Sequence, residues 1–300
     1  MIIPSWLWAV FTITAAGAQT LRNAMQRDLI ASLGTGGATY VRFLFGLPFA
    51  VLFLMLVAFG TQQTPSLPEL NALALTLMAA VSQIFATALM LAAMRQRAFV
   101  VAIAYTKTEP ILVALFGLIV LGDRLSTASA IAILIATSGV MLMSWPTARA
   151  QEGAYSWRPA AYGLVSAAAF ALSAVGYRAA ILALGLTNFI VAASTILACG
   201  LAIQTALILV YLTLFDRDLL AAIGRLWRAS MTAGFMGALA SQFWYLAFAI
   251  DTAARVRTLA LVEMIFAQIA TRRLFRQETS RREFVGMTMI IAGVVLLLWG

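Results

Sequence analysis

The chain has 300 residues, is 63% hydrophobic and carries charge on only 10% of its residues. A soluble domain is about 45–50% apolar and about 25% charged, so a mean hydropathy of +0.97 excludes a water-facing fold and makes lipid the solvent. The net charge of +9 sits largely on arginines at the ends of apolar runs, which reads as membrane topology and not as nucleic-acid binding.

The first run starts in MIIPSWLWAVF. It has no basic n-region and no small-residue cleavage site, so it reads as a first span and not as a cleaved signal. A spanning helix needs about 20 mostly apolar residues. Runs of that kind fall near 5–22, 36–59, 70–93, 99–121, 127–146, 159–178, 187–212, 230–250, 257–275 and 283–299. GTQQTPSLPEL is a polar, proline-containing loop between the second and third, LGDRLS a tight turn, and TARAQEGAYSWRP the longest irregular link. In LFDRDLLAAIGRLWRAS, Leu219, Leu220, Ile223, Leu226 and Trp227 fall on one helical face beside Arg225 and Arg228. That stretch reads either as an interfacial amphipathic helix or as a solvated loop.

The chain also repeats itself. GVMLMSW at 139–145 matches GVVLLLW at 293–299, a shift of 154 that also puts Ser126 on Ser280 and Glu109 on Glu263. SQIFATAL at 82–89 resembles SQFWYLAF at 241–248, at a shift of 159. Residues 1–150 and 151–300 therefore read as two copies of a five-helix unit. Five is odd, so the second copy must enter the membrane from the opposite side. The expected fold is an all-α integral membrane protein of ten transmembrane helices, arranged as two inverted repeats around a central cavity, a plan used by secondary transporters.

TEPILVALFGLIVLGDRLSTASAIAILIATSGVMLM resembles the C-terminal part of the repeat unit in the drug/metabolite transporter superfamily. Its Glu-Pro, LGDRLS and closing Gly-Val stand in that family's order. ATYVRFLFGLPFA, with Arg42, resembles the family's second helix. The second copy departs from the pattern, with VEM for Glu-Pro and FRQETS for LGDRLS. RNAMQRDL adds a likeness to bacterial ten-helix exporters of aromatic and other neutral amino acids. The resemblance implies an exporter in the bacterial inner membrane, with cytoplasmic termini. The arginines imply the opposite orientation. Odd-numbered loops carry most of them, from Arg22 and Arg27 through Arg95, Arg97 and Arg149 to Arg272, Arg273, Arg276, Arg281 and Arg282. Even-numbered loops carry Arg124, Arg178, Arg255 and Arg257. The positive-inside rule then puts the odd loops in the cytoplasm and both termini outside.

Arg42, Lys107, Glu109 and Glu263 fall inside spans, and Lys107 is the only lysine in the chain. A charge at the bilayer centre costs about 2.5–3.5 kcal/mol on insertion scales, so such residues face a cavity or pair with one another. Pro110 frees the carbonyl of Thr106 and kinks the helix start. Tyr105 and Glu109, four apart, share a face there. Lys107 is expected to be a substrate or counter-ion group. Lys107 lies next to Glu109 in sequence, whereas Glu263 has only Arg257 nearby, so Glu109 is expected to stay ionised and Glu263 to exchange a proton. Gln83, Thr87, Met90 and Met94 form one helical stripe, and Gln242, Tyr245 and Ala249 another. The glutamines and Tyr245 read as pocket walls; Met90, Met94 and Trp244 serve equally as packing. Gly17, Gly163, Gly176, Gly234 and Gly237 read as close helix contacts, and Cys199 as a small packing residue.

There are no histidines, which excludes histidine metal sites, Ser-His triads and histidine relays. No metal, cofactor or enzymatic reaction is expected. A channel would need a continuous polar stripe, and polar positions here are scattered. The expected function is secondary export of small amphipathic metabolites, with aromatic or neutral amino acids first, lipophilic cationic drugs second and proton coupling possible in principle. The partners are that small-molecule substrate and the bilayer.

Overall fold

The structure is a computed structural model that describes residues 4–94, 105–144, 158–266, 268 and 280–299. The TARAQEGAYSW link, Arg95, Arg97, Arg149, Arg272, Arg273, Arg276 and the Met94 side chain lie outside the described residues. Among the described residues every regular element is a helix: α1 Leu7–Leu44, α2 Leu47–Thr61, α3 Leu70–Met94, α4 Glu109–Leu121, α5 Thr127–Ser144, α6 Arg158–Ala183, α7 Phe189–Phe215, α8 Arg217–Arg225, α9 Trp227–Ile250, α10 Ala253–Leu259 and α11 Arg281–Trp299. Seven helical stretches among them are long and apolar enough to cross a membrane; Glu109–Leu121 is apolar but shorter.

The chain forms two compact units, and neither is a sequence half. One joins residues 1–81 to 176–251, the other 82–175 to 252–300, so α3 and α6 contribute to both.

In the first unit, residues 22–36 are not the loop expected between two spans. They are helical up to Gly34, whose φ of 67° and ψ of 174° interrupt α1. Glycine reaches that conformation without strain. Gln26 Nε2 donates to the Ala38 carbonyl across this break, at 2.7 Å. α1 packs most extensively on α9. There Gly234 lets the Phe45 backbone approach, since a Cβ at 234 would lie 2.6 Å from the Phe45 carbonyl. Gly176 similarly admits Ala79, and Gly237 admits the stems of Arg22 and Arg42. Gly17 is a correction: nothing lies within 4 Å of a Cβ there, so it makes no close helix contact. The 217–225 stretch is a helix, capped by Asp216 Oδ1 accepting from Leu219 N at 3.1 Å. Ile223 is buried and Leu219 packs over Gly37, so its apolar face is spent on the protein itself.

In the second unit, α5 and α11 begin at repeat-equivalent residues, Thr127 and Arg281. Each has a serine cap in front of it. Ser126 Oγ accepts from Ser129 N at 3.0 Å, and Ser280 Oγ accepts from Glu283 N at 3.2 Å. Glu283 Oε2 reaches back to Ser280 N at 2.7 Å, which completes a capping box on α11. The two helices touch through glycines. A Cβ on Gly139 would lie 2.7 Å from the Gly286 carbonyl, and one on Gly293 2.8 Å from the Ala132 carbonyl. The contact falls seven residues back on α5 as it moves seven forward on α11, so the helices run antiparallel. The shift of 154 carries Gly139 onto Gly293 and Ala132 onto Gly286. The contact is therefore reciprocal, each copy presenting the same two positions to the other.

Candidate functional site

Two helices of the second unit are broken next to the intramembrane charges. At Lys107 and Thr108 the chain makes a turn in which Thr108 N donates to the Tyr105 carbonyl at 3.1 Å, and α4 starts at Glu109 with Pro110 in its first turn. At Ala260 and Leu261 a second turn follows α10, with Leu261 N donating to the Thr258 carbonyl at 3.1 Å, and helix resumes at residue 262. The two turns are repeat-equivalent to within a residue, although the second copy has Met264 where the first has Pro110. A proline is therefore not what the break requires. Non-helical backbone at membrane depth is tolerated where it meets a polar site.

The charges beside these turns pair crosswise. Lys107 Nζ lies 3.4 Å from Glu263 Oε1. Arg257 Nε donates to Glu109 Oε1 at 2.6 Å, and its Nη2 meets the same oxygen. All four side chains are about four-fifths buried. This corrects the pairing expected from nearness in sequence: Glu109 takes Arg257 and not Lys107, and Glu263 takes Lys107 and not Arg257. The physical reason is helical geometry, because residues two apart do not face each other. Each carboxylate thus takes a cation carried by the other copy. The two pairs also differ in chemistry. Arginine never gives up its proton, whereas a lysine ammonium does so readily when buried.

Of the other expected site residues in this unit, Tyr105, Gln83 and Met90 are half-buried. Thr87 is buried, and its hydroxyl donates to the Gln83 carbonyl at 2.8 Å.

Arg42, Gln242 and Tyr245 belong to the first unit. Gln242 Nε2 donates to Ser194 Oγ at 2.8 Å. The Tyr245 ring lies 4.8 Å from the Tyr177 ring, and Gln204 Nε2 donates to the Tyr177 hydroxyl at 3.1 Å. The Arg42 guanidinium covers the Phe43 ring at 4.3 Å. Trp244 is buried and donates Nε1 to Gln19 Oε1 at 3.3 Å, a packing role.

Sequence reading missed Arg22, Tyr177, Ser194 and Gln204. Gln204 carried a usable signal, a polar residue in the middle of the apolar run CGLAIQTALIL. Arg22 had been assigned to a loop, yet it is 8% exposed within α1. Arg178 and Arg255, also assigned to loops, cap helix ends. Arg178 Nη1 donates to the Phe248 carbonyl at 2.6 Å and to that of Asp251, and Arg255 Nη2 to the Leu297 carbonyl at 3.1 Å. Their positive charge suits helix C-termini.

An all-helical chain with such spans, and with paired charges placed beside helix breaks, is a multi-pass membrane protein. Residues 6–145 match the EamA-like transporter family. Over those residues the chain belongs to that family, within the drug/metabolite transporter superfamily, and it is a membrane transporter of small solutes. A solved crystal structure of another protein superposes with a TM-score of 0.69 at 12% identity, over 97% of this chain and 96% of that one. At that identity the likeness shows the fold alone. No curated protein matches the chain.

Proposed function

We propose that the chain is a secondary transporter that exports small amphipathic metabolites by alternating access, with aromatic and neutral amino acids as its substrates. Residues 1–150 and 151–300 are two inverted copies of a five-helix unit, and the ten spans sit in a bacterial inner membrane. The observation that carries this reading is the crossed pairing of Lys107 with Glu263 and Arg257 with Glu109 beside two equivalent helix breaks. Antiparallel, reciprocal contact between α5 and α11 supports the inversion, since inverted copies must place equivalent helices in opposite directions. Arg42, Gln83, Met90, Tyr105, Lys107, Glu109, Gln242, Tyr245 and Glu263 line the route. Glu109, held by an arginine, stays ionised. Glu263, held by a lysine at 3.4 Å, is the carboxylate that a proton or a substrate ammonium competes for.

The test is counterflow in proteoliposomes preloaded with phenylalanine, with competition by leucine, glutamate and the lipophilic cation tetraphenylphosphonium. Phenylalanine and leucine should exchange, while glutamate and tetraphenylphosphonium should not compete. Exchange of tetraphenylphosphonium without phenylalanine would replace the amino-acid reading with a cationic-drug one. Flux without exchange acceleration would indicate a channel.

A further inference from the structure

Two arginines meet inside the first unit. A Cβ on Gly237 of α9 would lie 3.4 Å from Arg22 Cδ and 3.4 Å from Arg42 Cβ. The glycine is therefore what lets both stems lie on one patch of α9. Arg42 is also within electrostatic reach of Arg22, Tyr177 and Tyr245. Arg22 Nε and Nη2 both donate to Asn23 Oδ1, at 3.3 and 2.8 Å, and the Arg42 guanidinium sits on the Phe43 ring. An amide oxygen and an arene orient a guanidinium without neutralising it. Like charges repel, and the effect is larger in a low-dielectric bundle than in water, so an anion shared by both guanidinia relieves the repulsion. Arginine's planar fork matches a carboxylate in a bidentate way.

The surroundings define the rest of such an anion. Tyr177 and Tyr245, with rings 4.8 Å apart, offer aromatic surface beside Arg42. Gln242 lies three residues before Tyr245 on α9 and is 7% exposed; its Oε1 is buried and makes no hydrogen bond, while its Nε2 donates to Ser194. A buried amide oxygen left unmatched costs about 1–3 kcal/mol, so it favours a ligand that brings a donor.

We infer that Arg22 and Arg42, seated over Gly237, form the carboxylate subsite for an aromatic carboxylic acid whose ring lies against Tyr177 and Tyr245. The inference rests on the transport reading above and deepens it: the substrate carboxylate goes to the arginines, and Lys107 is left as the counter-ion of Glu263. It also gives Arg22 a binding role where the sequence suggested a topological one.

Equilibrium binding of radiolabelled 3-phenylpropionate and of phenethylamine to the purified protein in detergent separates the carboxylate from the amine. Arg22→Gln and Arg42→Gln should each weaken phenylpropionate at least tenfold and leave phenethylamine within twofold of wild type. Arg22→Lys and Arg42→Lys keep charge and stem but lose the fork, and should weaken it severalfold; they decide the matter if the glutamine variants do not fold. Phenylpropionate that fails to bind wild type, or that binds all variants alike, overturns the subsite. Loss of binding in the variants without any phenylalanine counterflow by wild type keeps the subsite and sinks the transport reading. Counterflow together with unaltered phenylpropionate binding sinks the subsite alone.

Discussion

At the scale of single residues, the two ion pairs are not equivalent, although the repeat relates their carboxylates. Arg257 holds Glu109 through two nitrogens, and neither group has an easy neutral state to retreat to. Removing one partner of a buried pair costs about 3–5 kcal/mol, and these side chains retain some exposure, so the lower end applies. Arg257→Gln should therefore lower the melting temperature in detergent clearly, and adding Glu109→Gln should recover most of the loss. Additive losses in that cycle would show that the two residues are not coupled. Lys107→Met should cost less, because Glu263 can take up a proton once its lysine is gone. The presence of charges inside spans was readable from residue type and hydropathy. Their partners were not, since position along one helix does not say which neighbouring element faces a side chain. Arg22 was missed for a related reason: RNAMQRD has the composition of a loop, and burial of its arginine depends on Gly237, more than 200 residues away in sequence.

At the scale of elements, the long apolar runs were legible. The runs at 70–93, 127–146 and 283–299 correspond closely to α3, α5 and α11, because a lipid solvent forces one helix per run. The stretch at 22–36 was not legible, because its polar residues are satisfied inside a bundle and its glycine break sits within continuous helix. Glycine identity was an equally uneven guide. Gly139 faces backbone: a Cβ there meets the Gly286 carbonyl at 2.7 Å and Ile290 N at 3.1 Å. Backbone cannot step aside as a flexible side chain can, so Gly139→Ala should destabilise the protein and weaken the α5–α11 contact. Gly17→Ala meets open space and improves helix propensity by up to about 1 kcal/mol, so it should be neutral or stabilising. Thermal melting of the two variants in the same detergent checks both. Equal losses would mean that the α5–α11 contact is not set by glycine.

At the scale of the whole molecule, orientation and coupling carry the function. Moving Arg22, Arg178, Arg255 and Arg257 out of the loops leaves the arginine excess on the odd-numbered loops, so the account keeps both termini outside. A cysteine at Ser66, on a Cys199→Ala background, should then label from outside, and one at Ala229 only from inside; the reverse pattern would adopt the orientation implied by the superfamily resemblance. The most direct measurement of the central claim is accumulation of labelled phenylalanine in proteoliposomes under an imposed pH gradient, wild type beside Glu263→Gln. The account predicts that wild type concentrates phenylalanine above its equilibrium level, and that Glu263→Gln exchanges it across the membrane without concentrating it. Equal accumulation by the two proteins, or equilibration without accumulation by wild type, would contradict it.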